Sequence, residues 1–257
     1  MLKPKSWECY KLEGLSEFLK LHIRPQEESF LLVPFLAKSP SCPGVNCDVE
    51  SLSRRVVKAN ASRFIFVARD DAELEEISRE TSGTAVEIVR GNITDQKTLR
   101  AIFDPLPRSS SGLALINPKG YKKLRWSIMR KLSCYGSNWE GYKMELVIFL
   151  PVDMALLRNL TREDCQSSLD RFFGRLEWRE IREKRAGGLD FEKTRDALVN
   201  FYLDNLKLLG YHFVETYRPL ARAPYQVFWA SDRHNELRNI QAAWGKPRYL
   251  PCELFYG

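Results

Sequence analysis

Short apolar runs rich in β-branched and aromatic side chains recur at residues 30–36, 64–67, 85–89, 113–116 and 145–150. Between them, residues 49–57, 72–80, 96–103 and 124–132 space their apolar positions as helices do. Strand and helix periods in alternation predict βαβ units around a largely parallel sheet. After Pro151 the pattern changes to a long charged stretch, a Gly187-Gly188 break and a helix over residues 191–209 that ends at Gly210 in the manner of a C-cap. Two further runs, 211–218 and 225–230, flank a turn-rich connection at 219–224 and predict an antiparallel hairpin.

Five alternating strands closed by a hairpin of two predict an α/β, Rossmann-like sheet of seven strands, mostly parallel, with the last strand inserted antiparallel to its neighbours. This is the layout of the class I methyltransferase fold, whereas dehydrogenase-type Rossmann domains continue with a sixth parallel strand. The chain then divides into an N-terminal helical segment (1–28), a Rossmann-like core carrying strands 1–5 (29–151), a helical lobe (152–210), and the hairpin with a C-terminal helix or tail (211–257).

Composition narrows the class. The chain has 257 residues, 44% of them hydrophobic, enough to bury a core without staples. The longest apolar runs, such as 146–150 and 30–36, fall far short of the roughly 18 residues that a spanning helix needs. Residues 1–21 lack a continuous apolar stretch ending in a small-residue cleavage site, so no secretory signal and a cytoplasmic location are expected. The six cysteines, at 9, 42, 47, 134, 165 and 252, form no Cys-x-x-Cys pair and read as reduced structural thiols. Cys42 and Cys47 have only Asp48 near them as a further ligand, so no metal is expected. A net charge of +7 suits a nucleic-acid partner and an ordinary soluble surface alike.

Particular residues add a resemblance. Leu113-Ala114-Leu115-Ile116-Asn117-Pro118-Lys119-Gly120-Tyr121 is followed by Leu124-Arg125-Trp126. Further on come 145–151 with Arg158, Phe173-Gly174 with Trp178, Tyr202 with Leu206 and Leu209-Gly210-Tyr211, and 224–231 with His234. This ordered set, over about residues 30–245, resembles the three-Cys-motif partner proteins. The resemblance implies a class I methyltransferase-like fold, an S-adenosylmethionine pocket and a partner carrying a three-cysteine motif of the radical-SAM type.

Residue by residue, the implied pocket is depleted. Where the family reads Phe-Ala-Gly-x-Gly after strand 1, this chain reads Phe35-Leu36-Ala37-Lys38-Ser39-Pro40-Ser41-Cys42-Pro43-Gly44, leaving Phe35 and Ala37 as candidate cofactor contacts. The two prolines remove N–H donors, and Lys38 brings positive charge where a sulfonium would sit. Strand 2 leads into Ala68, which has no ribose acceptor. Asp70, two residues on, is either that acceptor or an N-cap completed by Glu73 in a capping box. Asn92, after Gly91, is either the acceptor for the adenine amino group or a turn residue. Asn117-Pro118 retains the start of the element that aligns a target nitrogen in amino-methyltransferases, with Tyr121 a displaced substitute for the stacking aromatic that Lys119 replaces. Each lost hydrogen-bond partner costs about 1–3 kcal/mol, and two such losses raise a dissociation constant about a hundredfold. A decayed cofactor site is the leading expectation. The chain's 14 glycines, fewer than the roughly 7% usual for proteins, point the same way.

Lys119, Lys122, Lys123 and Arg125 cluster after strand 4, where a nucleic-acid backbone would be held. Trp126, Met129 and Leu132 mark a buried helix stripe there, which makes Arg130 and Lys131 its solvated face. The basic residues of 171–185 alternate with Glu177, Glu180 and Glu183 and read as a salt-bridged exposed helix. Three functions remain open: a partner-binding and nucleic-acid-binding subunit with a decayed site, an active amino-methyltransferase on a nucleic-acid base, and a pure protein-interaction scaffold.

Overall fold

The computed structural model describes residues 7–23, 28–35, 51–118, 120–135, 143–218, 225–233 and 237–244. Seven strands pair in the order β3-β2-β1-β4-β5-β7-β6. They are β1 (Ser29–Val33), β2 (Arg63–Ala68), β3 (Glu87–Arg90), β4 (Ser111–Ile116), β5 (Glu145–Leu150), β6 (Phe213–Tyr217) and β7 (Gln226–Ser231). Pairings among the first five are parallel, whereas β7 runs antiparallel to both β5 and β6. The expected seven-strand, mostly parallel sheet with its antiparallel terminal hairpin is therefore observed.

Side chains that alternate along a strand point to opposite faces, and here both faces are covered. Leu32, Ile65, Ala114, Ile116 and Ile148 pack on one side, against α4 (Gln96–Phe103), α5 (Trp126–Tyr135), α6 (Gln166–Phe173) and α8 (Phe191–Leu208). Leu31, Phe66, Leu115, Val147 and Trp229 pack on the other, against α1 (Trp7–His22), α2 (Leu52–Val56), α3 (Asp71–Glu80) and α9 (Leu237–Trp244). Two-sided burial is why the strands read as unbroken apolar runs. Edge strand β3, half-buried, is displaced from the expected 85–89, and only Leu52–Val56 of the expected 49–57 helix is helical among the described residues.

The 171–185 segment corrects its expectation. Gly174 adopts φ +70 and ends α6, so α6 and α7 (Trp178–Ala186) replace one exposed helix. Phe172, Phe173 and Trp178 are fully buried in the same core as strands β4 and β5. The guanidinium of Arg179 reaches back to Asp170 at 2.8 Å, and Arg175 pairs with Glu177.

A buried carboxylate fastens the hairpin to the sheet. Asp232, after β7, accepts hydrogen bonds from the backbone N–H of Lys143 at 2.9 Å and of His212 at 3.2 Å, with the Lys143 ammonium at 3.3 Å. Burial by itself pushes its carboxyl up. The two N–H groups and the Lys143 charge outweigh that and hold it below the usual range. Glu73 behaves alike, its burial outweighed by bonds from the Arg69 side chain and backbone. A carboxyl lowered on folding contributes stability that is present above the unfolded value of about 4 and is lost as pH falls through the folded value. The urea midpoint is therefore expected to hold near neutrality and to drop below about pH 4. Asp232→Asn should lower the neutral plateau and flatten the acid limb; an unchanged acid limb contradicts this assignment.

Candidate functional site

In open α/β sheets, ligands enter at the carboxyl edge of the parallel strands. Here that edge is lined by Phe35 after β1, Ala68 and Asp70 at β2, Asn92 after β3, and Asn117-Pro118 after β4. Tyr225 and Gln226 join them because β7 runs the other way and begins there.

Each oxygen-bearing candidate is engaged within the chain. Ala68, fully buried, offers only its carbonyl, which accepts from the Gly91 N–H at 2.9 Å. Asp70 is the N-cap of α3: its carboxylate accepts from the Glu73 N–H at 2.9 Å while Glu73 accepts from the Arg69 N–H at 2.9 Å, a variant of the expected capping box. Asn92 Oδ1 accepts from the Thr94 N–H at 3.1 Å, the turn geometry that was its second reading. Gly91 is required beside it, because its φ is +146 and a Cβ would stand 2.2 Å from Thr98 Oγ1. Phe35 is buried in the core on the α4 and α5 side. Ala37, Lys38, Cys42, Cys47, Lys119 and His234 lie outside the described residues.

Asn117 carries the feature that sequence reasoning missed. It is buried with Pro118 at the end of β4, and its Oδ1 accepts a hydrogen bond from Lys11 Nζ at 3.1 Å. Lys11 comes from α1, which packs across the sheet from this carboxyl edge to the amino edge, where His22 meets Glu145. The ammonium lies 5.6 Å from the ring centroid of Phe149 and 5.7 Å from that of Tyr225. A signal existed in the sequence. Lys11 falls on the stripe Leu15, Phe18, Leu19, so a lysine occupies a core-facing position of an otherwise apolar helix face.

Beside this pocket stands a second network with no sequence signature, because its members are far apart in the chain. Arg195 of α8, 3% exposed, donates to Asp153 at 2.8 Å and to the Gln226 side-chain oxygen at 2.6 Å. Arg218 also donates to Asp153, at 3.3 Å, and Gln226 donates to Thr216 Oγ1 at 2.8 Å. Helix α8, β7 and the turn after β5 are thereby pinned together at the carboxyl edge.

The stacking expectation for Tyr121 is corrected. The ring is 2% exposed and packs edge-on against Phe172, with centroids 5.8 Å apart, so it leaves no face for a base. Its hydroxyl donates to Ser168 Oγ at 2.9 Å, since that serine donates onward to the Cys165 carbonyl. Burial pushes the phenol up to about 12, so it stays protonated at neutral pH. Lys122, Lys123 and Arg125 are exposed, as is Arg130, while Lys131 donates to the Thr94 carbonyl at 2.6 Å. Trp126, Met129 and Leu132 are buried as the expected stripe. Among the described residues, no three His, Cys, Asp or Glu side chains come together as metal ligands, and no helix is long and apolar enough to cross a membrane.

The strand order, with β7 reversed between β5 and β6, defines a class I methyltransferase-like fold. No family model and no curated protein matches the chain. Among solved structures, a DUF574 family protein from Streptomyces avermitilis is 13% identical, with a TM-score of 0.44 over 88% of this chain and 83% of that one. The plantazolicin methyltransferase BamL, solved with a desmethylPZN analogue and SAH, is 10% identical, with a TM-score of 0.39 over 88% of this chain and 85% of that one. A Bordetella parapertussis chain described as a possible exported protein is 13% identical, with a TM-score of 0.44; this chain spans only 66% of it, using 86% of its own length.

Proposed function

We propose that this chain is a methyltransferase-fold protein with a decayed S-adenosylmethionine site. It acts in the cytoplasm as a partner-binding and nucleic-acid-binding subunit, the partner being of the three-Cys-motif class. The observation that carries this reading is the Lys11 ammonium on Asn117 Oδ1, the place where a nitrogen acceptor would have to be aligned for transfer. The described residues fit the cofactor poorly as well. Ala68 presents no side-chain acceptor to a ribose, Asp70 is committed to a helix cap, and Asn92 is committed to its turn.

Binding then falls to the carboxyl edge, where Lys122, Lys123 and Arg125 are solvent-facing beside a buried strand end. Lysines that neutralise phosphates release counterions, so affinity should fall steeply with salt. Fluorescence anisotropy with a labelled single-stranded oligonucleotide tests this. Affinity is expected to drop with rising salt, and Lys122→Glu with Lys123→Glu should weaken it at least about tenfold and flatten the salt slope by roughly one to two units. Absence of salt-dependent binding supports the pure scaffold instead.

A further inference from the structure

Lys11 is 5% exposed, and an ammonium leaves water only where its hydrogens and its charge find partners. Two kinds of partner meet at the end of β4. Asn117 Oδ1 takes one hydrogen at 3.1 Å. The faces of Phe149 and Tyr225 lie within the roughly 6 Å over which a ring quadrupole attracts a cation. The two rings are inclined at 62° with centroids 6.5 Å apart, and so wall the ammonium on two sides rather than forming a flat slot. A nucleobase amine is planar and neutral and is recognised by stacking between parallel faces. Inclined walls with the Asn117 oxygen as an acceptor suit a compact cation on an alkyl stem.

We propose that Asn117, Phe149 and Tyr225 form a primary-alkylammonium site and that Lys11 is its occupant, supplied in cis. The inference builds on the preceding reading in taking this as the acceptor position of the fold, and it names the chemistry held there as lysine-like rather than base-like. Helix α1 is anchored by the buried Leu12, Leu15, Phe18 and Leu19, so the cis occupant is present at high effective concentration and outcompetes free amines in the wild-type chain.

Truncation to alanine removes the equivalent of one propylammonium. In thermal unfolding of the full-length Lys11→Ala chain, n-propylammonium is expected to raise the midpoint by several degrees. The wild type should not respond, and neither n-propanol nor cytidine should reproduce the rise. Adding Asn117→Leu should abolish it. An equal rise with n-propanol, stabilisation by cytidine instead, or no rise in a folded variant overturns the proposal. Should Lys11→Ala not fold, Lys11→Met and Asn117→Leu are measured singly and together: the double variant is expected to lose less than the sum of the two, and additive losses overturn the proposal. Neither experiment contains cofactor or oligonucleotide, so the alkylammonium site and the nucleic-acid reading fail separately.

Discussion

Arg195→Ala is expected to cost about 3–5 kcal/mol of stability, because it removes one member of a buried charge network and leaves the others in place. Arg195 lies in the interior of α8 with 3% of its surface exposed, and its guanidinium bridges Asp153 and the Gln226 side-chain oxygen. Without it, Asp153 keeps only Arg218 among the described residues, and that guanidinium is shared with Glu192 at 3.4 Å. The Gln226 oxygen, in a residue 4% exposed, is left without that donor. For a chain of this size the loss corresponds to a fall in midpoint temperature on the order of 10 °C. Arg195→Lys should recover part of it, since a lysine supplies the charge but not a planar fork that reaches two acceptors at once. Urea denaturation of the three proteins checks the order. Arg195→Ala within 1 kcal/mol of wild type, on the order of what a surface change gives, would show that the network contributes little.

Gly174→Ala should be nearly as damaging, by a different route. The residue has φ +70, and a Cβ there would stand 2.3 Å from Cδ1 and 2.4 Å from Cγ of Trp126. Trp126 has little room to yield: it is buried and meets Tyr202 edge-on at 5.7 Å, while Tyr202 stacks on Phe172 at 5.2 Å. The left-handed backbone costs an L residue about 1 kcal/mol, and overpacking adds roughly 1–3 kcal/mol. Gly83→Ala separates the two contributions, since φ is +84 there but nothing lies within 4 Å of the added Cβ. Unfolding free energies from denaturation should fall by about 2–4 kcal/mol for Gly174→Ala and about 1 kcal/mol for Gly83→Ala. Equal losses at the two positions would mean that the contact with Trp126 is not tight.

The fold was legible in the sequence because its strands are covered on both faces. Runs such as Leu113 to Ile116 and Leu146 to Leu150 therefore stand out without any pairing information. The reversal of β7 was legible from the short turn-rich link between two strand-like runs. The Gly174 break was not, since a glycine among arginines and glutamates does not announce a left-handed turn, and the salt-bridge pattern around it argued for a continuous helix.

The site was half legible. Asn117-Pro118 stands at the strand end where the motif placed it, and the local oxygens of Asp70 and Asn92 sit in the cap and the turn that their neighbours Glu73 and Thr94 imply. Lys11 and Arg195 were hidden for a common reason: each acts on partners more than 30 residues away, Asn117 for the first and Asp153 and Gln226 for the second. Local patterning records which face a residue occupies but not what it meets there. Tyr121 shows the converse error, an aromatic beside a motif whose ring belongs to the packing of α6.

Whether the cofactor position is accommodated at all is decided by calorimetric titration of the folded full-length chain with S-adenosylmethionine and, separately, with S-adenosylhomocysteine. With Lys11 on Asn117 and the ribose and adenine acceptors committed internally, no binding heat is expected up to millimolar ligand. Binding of either compound at tens of micromolar, weakened by Asp70→Ala or Asn92→Ala, would contradict the decayed site and restore the chain as a methyltransferase.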